Sequence, residues 1–591
     1  MQFLSLVICM CRIELLRKEM KKCGVNAVII PTADPHLSEY IADEYKLREW
    51  LSGFTGSAGT LVVTEKESGL WTDGRYYIQA EKELSGSEVV LFKASEKETI
   101  KITDYLLEKL EKGETLALDG KLFSKNKLDE LKDKLKKKSI HLKNDFDPSA
   151  VWKDKPERKA NPCYILSEKY SGESAKDKML RVRREMKNEG ATHYVISSPQ
   201  EIMWLLNIRG ADVLYTPVML SYLLIGEKEA YLYAPKENVP EDVLKYLEEL
   251  EVKVKPYNGI YTDVEKLSKK CTVIADFSSA NALLIDKIKC PAKDKKSIIE
   301  HMKGIKNSTE IANIKKAYIK DNTALIKSFY EIYHKDELTE WEVCDIIEKH
   351  RGALEGYISP SFDTIAAYGE NAAMMHYGPT RENSATIFKK GMLLIDTGAQ
   401  FFEGTTDTTR TLILGEIPEE EKENYTLVLK GNINLAETVF PKGTKCSELD
   451  SITRKPLWKK GLDYRCSTGH GVGYLLSVHE GPQRISSLCN VELEAGMTVT
   501  DEPGVYTEGK YGIRIENHLY VKEHSTTEYG EYLCFEPLGY CPIGTEYLKT
   551  ELLDNEEKRY INDYNEKVNA LYEDFLSAEE KKWLKAYTRE I

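Results

Sequence analysis

The first half of the chain repeats itself, and this limits the possible folds more than any other feature. "LRKEMKKCGVNAVII" at residues 16–30 matches "LRVRREMKNEGATHYVI" at 180–196, aligning Met20 with Met186 and Gly24 with Gly190. Each copy reads as an amphipathic helix, a glycine at its end where a left-handed backbone is wanted, then an apolar strand. Further on, "EWLSGFTGSAG" at 49–59 aligns with "MWLLNIRGADV" at 203–213, pairing Trp50 with Trp204 and Gly56 with Gly210. Strand pairs follow in both copies, "GTLVVTEKESGLWTDG" and "SYLLIGEKEAYLYAP". Elements recurring in one order predict two copies of an α/β unit of about 150 residues, an ordinary domain size. The polar stretch "VWKDKPERKANP" at 151–162 reads as the connection between them.

Length and charge narrow the function. At 591 residues the chain exceeds one hydrophobic core. Its net charge is -13, from 83 basic and 96 acidic side chains, which argues against nucleic-acid binding as the main role. The lysine run in "DKLKKKSIHLK" reads as a solvated helix face. Twelve cysteines with no CxxC spacing suit free thiols in a reducing compartment. The opening "MQFLSLVICMC" has no basic residue before Arg12 and no small-residue cleavage site, and it is too short to span a bilayer. The expectation is a cytoplasmic protein without membrane association, in which Met10 could serve as an alternative initiator.

A third domain starts near "HMKGIKNSTEIANIKKAYIKDNTALIKSFYEIYH", a long helical pattern after the capping-box-like "STEI". No Walker A loop, dinucleotide fingerprint or GxSxG elbow is present. Instead, "GMLLIDTGAQFFEGTTDTTRTLIL" at 391–414 sets Asp396 and Asp407 in two apolar segments with "FEG" between them. This reads as a β-hairpin. With an even loop, cross-strand partners sum to an odd number, so Asp396 and Asp407 face the same way. Adjacent carboxylates repel and ionise together only beside a positive partner, of which a metal ion is the simplest. The alternative for this hairpin alone is that each Asp caps a strand end or bonds the neighbouring threonines.

The downstream sequence favours the metal. "CSTGHGVGYLLSVHEGP" carries His470 and His479 among glycines, "GMTVTDEPGVY" ends an apolar strand at Glu502, and "GIRIENHLYV" holds Glu516 with Arg514 on the same strand face. Four carboxylates and an imidazole in one domain are a costly set to bury without cations. Two divalent ions balance four negative charges and can activate water between them. An oxygen-rich donor set favours Mn²⁺, although Zn²⁺ or Co²⁺ would bind too.

The order Asp396, Asp407, His470, Glu502, Glu516 resembles the dinuclear site of the pita-bread peptidases, which include methionine aminopeptidase, prolidase and Xaa-Pro aminopeptidase. The front-domain sequences "PTADPHLSEYIADEYKLREWLSGFTGSAGTLVVT" and "NIRGADV", and "EYLCFEPLGYCPI" near the C-terminus, resemble the three-domain cytosolic Xaa-Pro aminopeptidases. The resemblance implies an α/β (α+β) chain with two creatinase-like domains, 1–155 and 156–300. A pita-bread catalytic domain with a helical extension then fills 301–591. It implies that Asp396 binds one metal, Asp407 and Glu516 bridge, and His470 with Glu502 completes the other. Glu502 would also shuttle the proton that activates the bridging hydroxide. His376, in "ENAAMMHYGPT", and His479 match histidines that handle the substrate carbonyl and leaving nitrogen, and Arg514 matches a residue orienting carboxylates. The implied activity is hydrolysis of the N-terminal Xaa-Pro bond of peptides, by a homodimer. The rival readings are a prolidase, a creatinase-like hydrolase and a non-catalytic binding module. One departure stands out: many relatives have His where this chain has Cys466.

Overall fold

The computed structural model describes residues 2–591, with side chains from residue 11 onward. The opening stretch on which the targeting expectation rests therefore lies largely outside the described side chains. The chain divides into two compact units, one ending at Ile299 and the other built from Glu168–Gly172 and Glu300–Ile591.

The first unit contains two six-stranded sheets with the same plan. In the first, β1 (Ala27–Pro31) is central, antiparallel to β2 (Thr60–Thr64) and parallel to β5 (Thr115–Ala117). The rows continue outward through β3 (Ser68–Thr72) and β4 (Val89–Lys93) on one side and β6 (His141–Lys143) on the other. The second sheet repeats this pattern strand for strand. Its centre is β7 (His193–Ile196), flanked by β8 (Tyr222–Gly226), β9 (Ala230–Ala234) and β10 (Val252–Pro256) on one side. On the other side lie β11 (Val273–Ala275) and β12 (Ala292–Asp294). The aligned glycines Gly24 and Gly190 share φ +65°, the left-handed turn between helix and central strand. Burial of Ala27–Ile30 and Tyr194–Ile196 explains why both central strands are apolar throughout.

The second unit opens with α1 (Ser308–His334). Its cap is Asn307, whose side chain accepts from Glu310 N–H at 3.0 Å while Glu310 accepts from Asn307 N–H at 3.0 Å. The cap therefore falls one residue before "STEI", because the reciprocating Glu must lie three residues after it. β13 (Ile365–Tyr368), β14 (Met392–Thr397) and β15 (Thr408–Ile413) form an antiparallel sheet. Leu393, Ile395 and Leu412 pack on Phe329 of α1, and the alternation turns Asp396 to the opposite face. Burying each such aliphatic side chain contributes about 1.5–3 kcal/mol.

The β14–β15 hairpin is interrupted, with short strands Ala399–Phe401 and Gly404–Thr405 beyond its shoulder. One register runs through both parts: Met392 faces Ile413, Thr397 faces Thr408 and Phe401 faces Gly404. The tip is thus the even pair Phe402 and Glu403. Gly398 forms the shoulder because a Cβ there would lie 2.1 Å from Thr406 O and 2.2 Å from Ser361 Oγ. The unit also holds a four-stranded sheet, a two-stranded hairpin (Gly504–Thr507 with Tyr511–Arg514) and, among its helices, Asn555–Tyr572. Ile561, Tyr564, Val568 and Tyr572 of that helix join the core beside Ile513 and Ile515.

Candidate metal centre

Asp396 and Asp407 lie on one side of the β14–β15 hairpin, as the odd register sum requires. Asp396 is 9% exposed. Its Oδ2 accepts from Arg514 Nη2 at 2.5 Å, and its buried Oδ1 has no hydrogen-bond partner. Asp407 is pinned through its backbone. The Tyr318 hydroxyl on α1 donates to Asp407 O and accepts from Asp407 N–H, both at 3.0 Å. Because that phenol proton is used, His518 Nδ1, also 3.0 Å from the oxygen, must be the donor of its pair. Burial holds the His518 pKa down to about 3, so the ring stays neutral.

Glu516 follows the Tyr511–Arg514 strand, with its N–H on Thr409 O at 3.0 Å. Its Oε2 accepts from Thr409 Oγ1 at 2.8 Å, and the same hydroxyl accepts from Arg514 Nε at 3.2 Å. Arg514 also donates to Tyr506 OH at 2.6 Å and Met375 O at 3.4 Å. This guanidinium therefore ties Asp396, Thr409, Tyr506 and the segment leading into His376 together. His376 follows the turn Gly369–Ala373, against which Gly512 packs so closely that a Cβ would lie 1.8 Å from Ala372 O.

His470 and Glu502 come from facing segments. His470 N–H donates to Thr500 Oγ1 at 3.0 Å, and Glu502 N–H donates to Thr468 O at 2.8 Å. His470 Nδ1 lies 3.0 Å from Gly471 O, which can only accept, so Nδ1 carries the proton and Nε2 is the ligand-type nitrogen. Nε2 is 3.3 Å from Glu502 Oε1 and 3.5 Å from Asp407 Oδ2. Ligand-type atoms of Asp407, His470 and Glu516 all lie within 4.8 Å of one another. The His479 ring stands edge-on to His470, centroids 4.3 Å apart at 88°.

Charge makes this arrangement unusual. Burial, then repulsion from Asp396 and Glu502, holds the Asp407 pKa well above the ordinary range. Glu516 is raised in the same way, by burial and then by Asp407. Glu502 is raised to about 7, chiefly by burial and with a contribution from Asp396. Fully ionised, the four carboxylates would face one guanidinium and leave three negative charges in a buried site. The donor set, the orphaned Asp396 oxygen and the short ligand-type distances all fit divalent cations.

Several supporting residues carry no sequence signal of their own. Tyr318 sits in an ordinary amphipathic helix, and Tyr506 and His518 occupy ordinary strand positions. Glu480, beside His479, forms a buried ion triad with Lys303 Nζ at 2.8 Å and Lys306 Nζ at 2.7 Å. Its N–H donates to Gly471 O at 2.7 Å, linking the two histidine segments. Cys466 O accepts from Arg454 Nη2 at 2.7 Å, so this position is held through its backbone.

Comparison with known proteins defines the class first. The sequence profile of metallopeptidase family M24 matches residues 312–523, and that of the C-terminal region of the same peptidases matches 531–591. The creatinase/prolidase N-terminal domain matches twice, at 12–147 and 154–310. A Xaa-Pro aminopeptidase 1 from Dictyostelium discoideum is 38% identical over 97% of this chain and 95% of its own length. Aminopeptidase P2 from Arabidopsis thaliana is 36% identical over 96% of this chain and 86% of its own. Among solved structures, the X-prolyl aminopeptidase of Caenorhabditis elegans, described as a cytosolic enzyme with a di-nuclear active site, superposes with TM-score 0.95. That match has 31% identity and covers 99% of this chain and all of the other. A prolidase from Pyrococcus horikoshii, with TM-score 0.51 and 26% identity, covers 63% of this chain. The chain belongs to the Xaa-Pro aminopeptidases, M24 metallopeptidases that carry two creatinase-type N-terminal domains.

Proposed function

We propose that this chain is a metal-dependent aminopeptidase that releases the N-terminal residue from peptides with proline second. The observation carrying the chemistry is the buried cluster of four carboxylates and His470 against the single charge of Arg514. Near full-length similarity to Xaa-Pro aminopeptidases supports the substrate class and favours it over a dipeptide-limited prolidase.

Asp396, Asp407, His470, Glu502 and Glu516 would hold two divalent cations, with Mn²⁺ favoured by the oxygen-rich set. When bound, such ions supply Lewis acidity and make water nucleophilic near neutral pH. The chain's own residues then do the rest. Glu502, raised toward neutrality, accepts a proton from the attacking water and returns it to the prolyl nitrogen. His376 and His479 hydrogen-bond the substrate carbonyl and the leaving nitrogen. Arg514 fixes Asp396 and, through Thr409, Glu516. A prolyl nitrogen has no N–H, so protonation of the leaving nitrogen is the step these groups must manage.

Further parts of the reading are a division of the chain near residues 155 and 300, a cytoplasmic location and a homodimer. The location draws support from the relative described as cytosolic. No described helix is long and apolar enough to cross a membrane.

The test compares an Xaa-Pro-Yaa tripeptide, its Xaa-Ala-Yaa control and an Xaa-Pro dipeptide, using chelator-stripped protein with and without Mn²⁺. Metal-dependent release of Xaa from the tripeptide with proline, lost in Asp407→Asn and Glu516→Gln, is the expected result. Turnover of the dipeptide alone would instead indicate a prolidase.

A further inference from the structure

Two thiols meet behind the histidine segments, outside the metal cluster. Cys446 is the first residue of the helix Cys446–Trp458 and is fully buried. Cys489 is half-buried, next to Leu488, which is 89% exposed. Both are free thiols, and Cys489 packs against the apolar cluster to which Cys446 belongs. The backbones are paired as well: Ser447 N–H donates to Cys489 O and Cys446 N–H to Val491 O, both at 2.9 Å, and Lys445 bridges Glu492. The Ser447 to Cys489 bond joins the peptide groups next to the two Cα atoms. A disulfide usually spans about 4.4–6.8 Å between Cα atoms, and hydrogen-bonded neighbouring peptide groups are the backbone approach that such a span needs.

We propose that Cys446 and Cys489 form a redox-modification site, in which a hydroperoxide converts the two thiols to a disulfide. The Cys489 thiolate attacks the terminal peroxide oxygen, the O–O bond breaks, and Cys489 becomes a sulfenic acid while the alkoxide, or hydroxide in the case of hydrogen peroxide, leaves and is protonated. The Cys446 sulfur then attacks the Cys489 sulfur, the S–O bond breaks, and the hydroxyl departs with the Cys446 proton as water. One hydroperoxide is reduced and two thiols are oxidised. Burial holds Cys446 protonated, so Cys489, nearer to solvent, is the attacking thiol and Cys446 the resolving one. In a thiol-reducing compartment such a bond is transient, as a sensor requires.

The bridge would tie two jaws around the segment that carries His470. Asp450, on the Cys446 helix, accepts from Thr468 Oγ1 at 2.6 Å. On the other side, Ile485 O accepts from Thr468 N–H at 2.9 Å, and Cys489 Sγ lies 3.9 Å from Pro482 O. The loop closed by the disulfide contains both His470 and His479. Oxidation would therefore stiffen the histidine segments without consuming a catalytic group.

The experiment exposes metal-loaded protein to a small excess of hydrogen peroxide, blocks remaining thiols and maps the peptides by mass spectrometry. The expected product is an intramolecular link between the peptides holding Cys446 and Cys489, reversed by dithiothreitol and accompanied by a rise in Tm. Cys446→Ala should trap sulfenic acid at Cys489, detected with a dimedone probe, whereas Cys489→Ser should leave Cys446 unlabelled. The wild-type map decides the matter even if a variant folds poorly. Absence of the link would overturn the proposal, as would direct over-oxidation of Cys489 to sulfinic acid with Cys446 intact.

Discussion

Removing the metals should make stability depend on pH with a sign opposite to ordinary acid denaturation, and Glu502 supplies the magnitude. Its pKa rises from an ordinary 4.5 to about 7 in the folded chain. Between those values the native state binds more protons than the unfolded state, so stability falls as pH rises. The contribution is fully present below about pH 4.5, amounts to roughly 3 kcal/mol, and is lost as pH passes through 7. About 2 kcal/mol of it disappears between pH 5.5 and 7.5. Asp407 and Glu516 shift in the same direction and add to the slope. The assay is urea unfolding of chelator-treated wild type and Glu502→Gln at both pH values, followed by intrinsic fluorescence. The wild type should lose about 2 kcal/mol more than the variant over this interval. Mn²⁺ at a hundredfold excess over its Kd should return about 2.7 kcal/mol at pH 7.5 and less at pH 5.5, where protons compete for the ligands. Equal slopes in the two proteins would refute the claim that Glu502 is held protonated by its surroundings.

Other perturbations follow the same geometry. Arg514→Lys keeps the charge but cannot reach Asp396, Thr409 and Tyr506 together; kcat should fall about a hundredfold with little change in KM, measured by steady-state peptide cleavage. Gly398→Ala forces a Cβ against Thr406 O and Ser361 Oγ, and should cost about 1–3 kcal/mol in urea unfolding and lower the bound-metal stoichiometry by elemental analysis. Glu480→Gln leaves Lys303 and Lys306 buried without a counter-charge and should destabilise by about 3–5 kcal/mol in urea unfolding, an effect that adding Lys306→Met relieves only in part because Lys303 stays unpaired. Tyr318→Phe removes the hydroxyl that serves both backbone groups of Asp407, and should weaken metal binding measurably by calorimetry while costing about 1–3 kcal/mol of stability.

The repeat was legible because a helix, a left-handed glycine and an apolar central strand leave local marks that survive divergence. From them the sequence predicted two copies, and the sheets indeed share one strand order. The common facing of Asp396 and Asp407 was also accessible, since side-chain parity depends only on register. Tyr318, Tyr506 and His518 were not accessible, because their roles arise from contacts 89, 8 and 200 residues away along the chain. Lys303 and Lys306 carry no local mark of burial, yet Glu480 draws both inside. The helix takes in "STEI" instead of starting after it, because the reciprocal bond of Asn307 with Glu310, and not the run of capping-type residues, sets the start.

The unbroken register of the β14–β15 hairpin also divides its length into regions of unequal tolerance. Residues added at the Phe402–Glu403 tip leave every cross-strand pair below it unchanged. A single residue inserted between Thr397 and Ala399, or between Thr405 and Thr408, would change the parity and turn one aspartate away from the other. Length variation across homologous chains should therefore collect at the tip and avoid the shoulders, and a reporter peptide grafted at the tip should leave the two carboxylates facing each other.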